Sequence, residues 1–159
     1  MMKIQMTKIN KIIYFIFSVL FFIVSDLYLS NMILNKLRFD FESNAFFDLI
    51  FVKNTGAAFS ILEDYMAFLI AFSVIAIFTI LRYLFRYLDK FSTISVFWAA
   101  MLVAGISCNL YERIAFGYVR DFFKLNFIDF PVFNISDVFI NIAVLAIIII
   151  IIKNKYLKK

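Results

Sequence analysis

The sequence contains no histidine, and that absence removes several kinds of chemistry at once. Without an imidazole there is no HExxH zinc site, no Ser-His or Cys-His nucleophile pair and no His-ligated haem. Cysteine is almost missing as well. Cys108 stands alone, so neither an intrachain disulfide nor a CxxC metal site can form. Charge is scarce at 17% of 159 residues, too little polar surface to cover a soluble globule of this size. Hydrophobic residues reach 65%, against roughly 45–50% in an ordinary soluble domain. Lipid must cover the remainder. No linker and no internal repeat of fixed period interrupts the chain, which reads as one polytopic unit over residues 1–159.

Four apolar stretches are long enough to cross a bilayer, which takes about 20 helical residues at about 1.5 Å each. They run over roughly Ile12–Ile33, Tyr65–Phe85, Phe91–Tyr111 and Asn134–Ile152. The first follows Lys3, Lys8 and Lys11 but has no small-x-small cleavage site behind it. It is expected to be a retained anchor helix. The basic clusters then set the orientation. The N-terminus, the Arg82, Arg86 and Lys90 connection, and the C-terminal Lys153, Lys155, Lys158 and Lys159 fall on one side, expected to be cytoplasmic. Most acids fall on the other. The net charge of +5 is therefore a topology signal and not a nucleic-acid footprint.

The two outer segments carry their own pattern. Arg38–Glu42 alternates charge with Phe, and Phe46–Val52 reads as a strand ending in Lys53-Asn54-Thr55-Gly56, where Gly56 is free to take a positive φ. Ala115–Phe133 is aromatic, interrupted by charge and closed by Pro131, as suits a segment lying at the membrane interface.

Ionisable residues within or at the rim of a span are costly and count as functional candidates. Here they are Asp26, Glu112 with Arg113, Asp121 and Asp137, all at or near the outer ends of spans. Each has a plain structural reading. Asp137 sits third after Asn134, where it would cap the last helix, and Asp121 would pair with Arg120 or Arg113. Together they allow more. With histidine absent, Asp and Glu are the natural acid–base groups, and two neighbouring carboxylates share a proton, one activating water while the other polarises a carbonyl. Gly105, Asn109 and Glu112 form one polar stripe that must face other helices, and Asp137 and Asn141 share a face. Cys108 reads as a small buried apolar residue. Asn54-Thr55-Gly56-Ala57-Ala58-Phe59 is a turn of small residues that a ligand could approach closely.

Four blocks taken in order carry a family resemblance: Asn54-Thr55-Gly56-Ala57-Ala58-Phe59, Gly105-Ile106-Ser107-Cys108-Asn109-Leu110-Tyr111-Glu112-Arg113, Gly117-Tyr118-Val119-Arg120-Asp121-Phe122 and Phe133-Asn134-Ile135-Ser136-Asp137. In order, spacing and placement relative to the spans they resemble the lipoprotein signal peptidase (signal peptidase II) family. The resemblance implies an all-α transmembrane fold, a four-helix membrane bundle with a small extracytoplasmic β-cradle and an interfacial helix. It implies a bacterial inner-membrane aspartic endopeptidase that cuts prolipoproteins just before a diacylglyceryl-modified Cys, inhibited by globomycin. Asp121 and Asp137 take the places of the catalytic aspartates. Asn54, Gly56, Ala58, Asn109, Arg113, Asn134 and Asp26 take places that shape the site or contact substrate. No cofactor or metal is called for, and a monomer suffices.

The chain departs from the family pattern at several positions. Asp26 is followed by Leu27, with Ser30 where a Lys is usual; Cys108 replaces Gly, Glu112 replaces Asp, and Ser136 replaces Ala. These leave both candidate catalytic carboxylates in place. Two other classes stand against this reading. A transporter or ion-path subunit would string carboxylates through the depth of the spans, but the middles and cytoplasmic halves of these spans are nearly free of charge. An intramembrane protease built on GxGD would need that motif, which is not present.

Overall fold

The computed structural model describes residues 6–36, 46–56, 62 and 65–156. The Arg38–Glu42 alternation and Ala58 lie outside the described residues. Four helices, α1 (Lys8–Lys36), α2 (Met66–Arg86), α3 (Thr93–Phe116) and α4 (Ile135–Tyr156), are joined by a 3-10 turn over Leu88–Lys90 and by strands β1 (Phe47–Asn54) and β2 (Val119–Leu125). All four helices are long and apolar enough to cross a membrane.

The helices start where local chemistry supplies caps. Thr7 Oγ1 accepts the Asn10 N–H at 3.2 Å ahead of α1, and Ser92 Oγ accepts the Ser95 N–H at 3.2 Å ahead of α3. Each satisfies one of the donors a helix N-terminus leaves free. At the far end of α3, Gly117 takes the left-handed φ of 76° and sends its N–H back to the Arg113 carbonyl. Among the described residues this is the positive-φ glycine; Gly56 instead closes its turn by donating to a side chain. Gly117 lets the chain leave the helix and enter β2 within two residues.

Helix α3 is the hub, packing against α1, α2 and α4, while α2 and α4 scarcely touch. At the sheet-distal end of the bundle Phe15, Leu84, Leu88, Val96, Ala100 and Val103 form one buried cluster. Lys11 is buried there too, 3% exposed, and its Nζ donates to the carbonyls of Phe91 (2.7 Å) and Leu88 (3.2 Å). The sequence presents Lys11 as one more cytoplasmic cation; it also ties the start of α1 to the α2–α3 turn. Nearer the sheet, Phe22 meets Phe97 and Phe139 edge to face, with Met101, Ala104 and Ala143 buried around it.

The sheet is a single antiparallel pair. Val52 faces Asp121 and Asn54 faces Val119, with an irregularity between Leu49 and Val52. The Ala115–Phe133 segment therefore finishes α3, forms β2 and adds an isolated bridge from Phe123 to Phe133. The interfacial helix that the resemblance implies has no counterpart among the described residues.

Close approach of α3 and α4 depends on Gly105. A Cβ there would lie 2.8 Å from the Ser136 carbonyl oxygen and 2.9 Å from Ile140 Cγ1. The first contact is backbone, so relief requires the first turn of α4 to move. Gly105→Ala is expected to cost about 1–3 kcal/mol by overpacking, read as a lower Tm of the detergent-solubilised protein. An unchanged Tm would show that the helices are not held this closely.

Candidate active site

Asp121 and Asp137 arrive from opposite directions. Asp121 lies on β2 and is 1% exposed; Asp137 lies in the first turn of α4. Three asparagines bring them into one network. Asn54 Nδ2 donates to Asp121 Oδ2 at 2.8 Å, and Asn134 Nδ2 donates to Asp121 Oδ1 at 2.9 Å. Asn109 Nδ2 donates to Asp137 Oδ1 at 2.8 Å, and the Asn134 backbone N–H donates to Asp137 Oδ2 at 3.2 Å. All four carboxyl oxygens thus accept one N–H each.

The orientation of each carboxamide follows from the backbone. The Gly56 N–H donates to Asn54 Oδ1 at 2.9 Å, so the other arm of Asn54 is its NH2. The Asp137 N–H donates to Asn134 Oδ1 at 2.9 Å, which turns the Asn134 NH2 toward Asp121. That NH2 also donates to Asn109 Oδ1 at 3.1 Å, which leaves the Asn109 NH2 for Asp137. Backbone N–H groups can only donate, and those of Gly56 and Asp137 fix all three amides as donors to the carboxylates.

The capping reading of Asp137 is realised, and the same residue belongs to the asparagine network that reaches Asp121. Asn134 and Asp137 exchange side chain and backbone N–H reciprocally, as a capping box does. The same bonds hold Asp137 against Asn109. Asn109, in a polar stripe that reads from sequence as packing, is 7% exposed and touches both Asn134 and Asp137. The expected pairing of Asp121 with Arg120 or Arg113 does not form. Arg120 donates its backbone N–H and both Nε and Nη2 to Glu112, at 2.7, 2.9 and 2.6 Å. Glu112 thus clamps the start of β2 to the end of α3. Its longer side chain reaches a strand residue eight positions on and keeps Arg120 away from Asp121.

Arg113 donates from Nη2 to the Gly56 carbonyl at 3.1 Å and lies within electrostatic reach of both aspartates. Its Nε is buried with no acceptor among the described residues. Asp26 is 5% exposed and accepts the Ser136 Oγ–H at 2.7 Å, so it braces the first turn of α4 from behind and does not line the cavity. Cys108 is buried, as expected of a small apolar residue. Asp121 is pushed up to about 7, first by burial and also by the nearby charge of Asp137, against the lowering effect of its Asn54 and Asn134 hydrogen bonds.

A cavity of about 870 Å³ opens beside the pair, within the range of ligand sites. Its walls follow helical spacing: Leu69, Phe72, Ser73 and Ala76 on α2; Ile106, Asn109 and Arg113 on α3; Asp137, Ile140 and Asn141 on α4. It lies where α2 and α4 diverge across α3, with Asp121, Asn54 and other residues of the two outer segments over its mouth. Asn141 sits in this wall one turn beyond Asp137. The shared face was readable from its i+4 spacing; the neighbouring cavity was not.

A family model described as "Signal peptidase (SPase) II" matches residues 18–153. A lipoprotein signal peptidase of Buchnera aphidicola subsp. Schizaphis graminum is 36% identical over 140 residues, covering 82% of this chain and 89% of the relative. One from Clostridium tetani is 37% identical over 113 residues, covering 68% and 70%. A solved structure described as a bacterial membrane enzyme, determined in meso at 2.3 Å, is similar over 91% of each chain, with TM-score 0.79 and 29% identity. The family match over residues 18–153 and the relative 36% identical over 140 residues show that the chain belongs to the signal peptidase II family.

Proposed function

We propose that this protein is an aspartic endopeptidase of the bacterial inner membrane that removes signal peptides from diacylglyceryl-modified prolipoproteins, cutting just before the lipidated Cys. The observation that carries this reading is the pair Asp121 and Asp137, held by three donor amides at the mouth of a cavity walled by apolar helix faces. Acyl chains and the apolar part of a signal peptide fit such walls, while the scissile bond reaches the carboxylates. The buried carboxylates Asp26, Glu112 and Asp121 gather at this one end, which favours a local reaction over an ion path through the bundle.

Asp137 is the base. It faces the N-terminus of α4, a backbone N–H and the guanidinium of Arg113, all positive. Asp121, buried and without a cation partner, holds the proton. Asp137 takes a proton from water as the water oxygen attacks the scissile carbonyl, and Asp121 gives its proton to the carbonyl oxygen. In the second step Asp137 passes its proton to the leaving nitrogen, and Asp121 recovers one from the diol. The products are a signal-peptide carboxylic acid and the free amine of the lipidated Cys.

The test is cleavage of a diacylglyceryl-modified precursor by the purified protein, beside its unlipidated form and with globomycin added. Strong preference for the lipidated form and inhibition are expected. Asp121→Asn and Asp137→Asn should each lower the rate about 10³-fold or more, with the double variant little worse, as for groups acting as a unit. Equal cleavage of both precursors, or substantial turnover by a folded Asp137→Asn protein, would sink the assignment.

The pH profile tests the assignment of roles. Asp121 must be protonated to donate, and it loses that proton as pH rises through about 7. The rate should therefore fall on the alkaline side near that value, although the limb belongs to the coupled pair. A rate flat between about pH 6 and 9 would leave Asp121 without the acid's role.

Both termini are expected in the cytoplasm, with the site at the outer leaflet. An impermeant thiol reagent applied to intact cells should label Lys124→Cys and spare Lys155→Cys. The reverse pattern would invert the topology.

A further inference from the structure

Asn141 is a polar side chain in an apolar wall. It follows Asp137 by four residues on the same face of α4, about 6 Å along the axis at 1.5 Å per residue, and it lines the cavity with Ile140, Ile106, Leu69 and Phe72. It is exposed and makes no hydrogen bond among the described residues. Ser73, across the cavity, differs: its Oγ–H is spent on the Leu69 carbonyl at 2.8 Å. A carboxamide left unpaired at the depth of a membrane span is costly, and no hydrogen bond from the described residues offsets that cost.

We propose that Asn141 is a specificity-determining residue that hydrogen-bonds the peptide backbone of the bound substrate on the N-terminal side of the scissile bond; this rests on the reading of the cavity as a peptidase groove. The geometry selects this occupant. A carboxamide offers a donor and an acceptor together, the same pair that one extended peptide group presents. A helical peptide has no free backbone groups to give, because its own turns use them. Cleavage needs an unwound stretch at the carboxylates, and the residues just before the scissile bond then lie deeper in lipid with unsatisfied N–H and C=O groups. Asn141 meets them one turn below Asp137. It thereby favours an extended segment irrespective of its side chains.

The experiment uses the full-length protein and a synthetic diacylglyceryl-modified precursor peptide. Asn141→Leu is expected to lower kcat/KM about 10-fold, as for one or two lost hydrogen bonds, with Tm unchanged or raised because an unpaired polar group has left the lipid. Asn141→Gln, which keeps the carboxamide, should restore part of the loss. Peptides carrying a single ester in place of one backbone amide before the scissile bond locate the contact. At one position the ester should slow the wild-type protein and leave Asn141→Leu unaffected. Three results overturn the proposal: unchanged kcat/KM in Asn141→Leu, a loss that accompanies a lower Tm and is not rescued by Gln, or ester effects equal in both proteins at every position. No cleavage of the all-amide, diacylglyceryl-modified peptide by the wild-type protein overturns the peptidase reading, and this proposal with it.

Discussion

The site depends on two backbone N–H groups. Those of Gly56 and Asp137 each take the oxygen of an asparagine side chain, and in doing so turn every amide of the network so that NH2 faces carboxylate. An asparagine free to flip could present an oxygen to Asp121, placing two acceptors against each other. Here the flip is forbidden because a backbone donor cannot become an acceptor. Two carboxyl groups, that of Asp121 buried and that of Asp137 half-buried, are thus each met by two N–H donors, without a neutralising cation bonded directly to either. A cation paired with Asp121 would favour its ionised form, whereas here burial pushes it up to about 7 against the lowering effect of its neutral donors.

The surrounding acids and bases are disposed to keep that condition. Arg120 stands next to Asp121 in sequence, and its side chain is consumed by Glu112. Arg113 is drawn toward the Gly56 carbonyl. Asp26 is turned to Ser136. The Glu112 pairing offsets the Arg120 charge that would otherwise compete for Asp121, while Arg113 stays within electrostatic reach of both aspartates, and each contact also ties two elements together. Glu112 joins α3 to β2, Arg113 joins α3 to the end of β1, and Asp26 joins α1 to α4. Ser136 supplies the hydroxyl that Asp26 uses, and Glu112 supplies the reach that Arg120 requires.

The cavity has the same origin as the site. Gly105 lets α4 lie close to α3 at the level of Ser136 and Ile140, which sets Asn109 against Asp137. With α1 on another side of α3, α2 and α4 are left apart, and the space between them is walled by their apolar faces with the carboxylates at its end. One small residue thereby sets Asn109 against the first turn of α4 and leaves a cavity beside the carboxyl groups.

Much of this protein is determined by local sequence. The four spans follow from unbroken apolar runs, because a bilayer imposes a length and a hydrophobicity that a window of about 20 residues either meets or fails. The edges were less legible: α1 begins at Lys8 and α3 runs through Phe116, since helix ends are set by caps and by Gly117 and not by hydropathy. The candidate acids were also legible, because charge at a span's rim is conspicuous against an apolar background. What tertiary structure alone decided is which polar group meets which. Asn54 and Asp121 lie 67 residues apart, Asp26 and Ser136 110 apart, and no local pattern encodes such pairs. Asp121 has Arg120 beside it in sequence and asparagines beside it in space. Alternation along β2 puts neighbouring residues on opposite faces, and only strand pairing with β1 and the clamp from α3 determine which face meets the site.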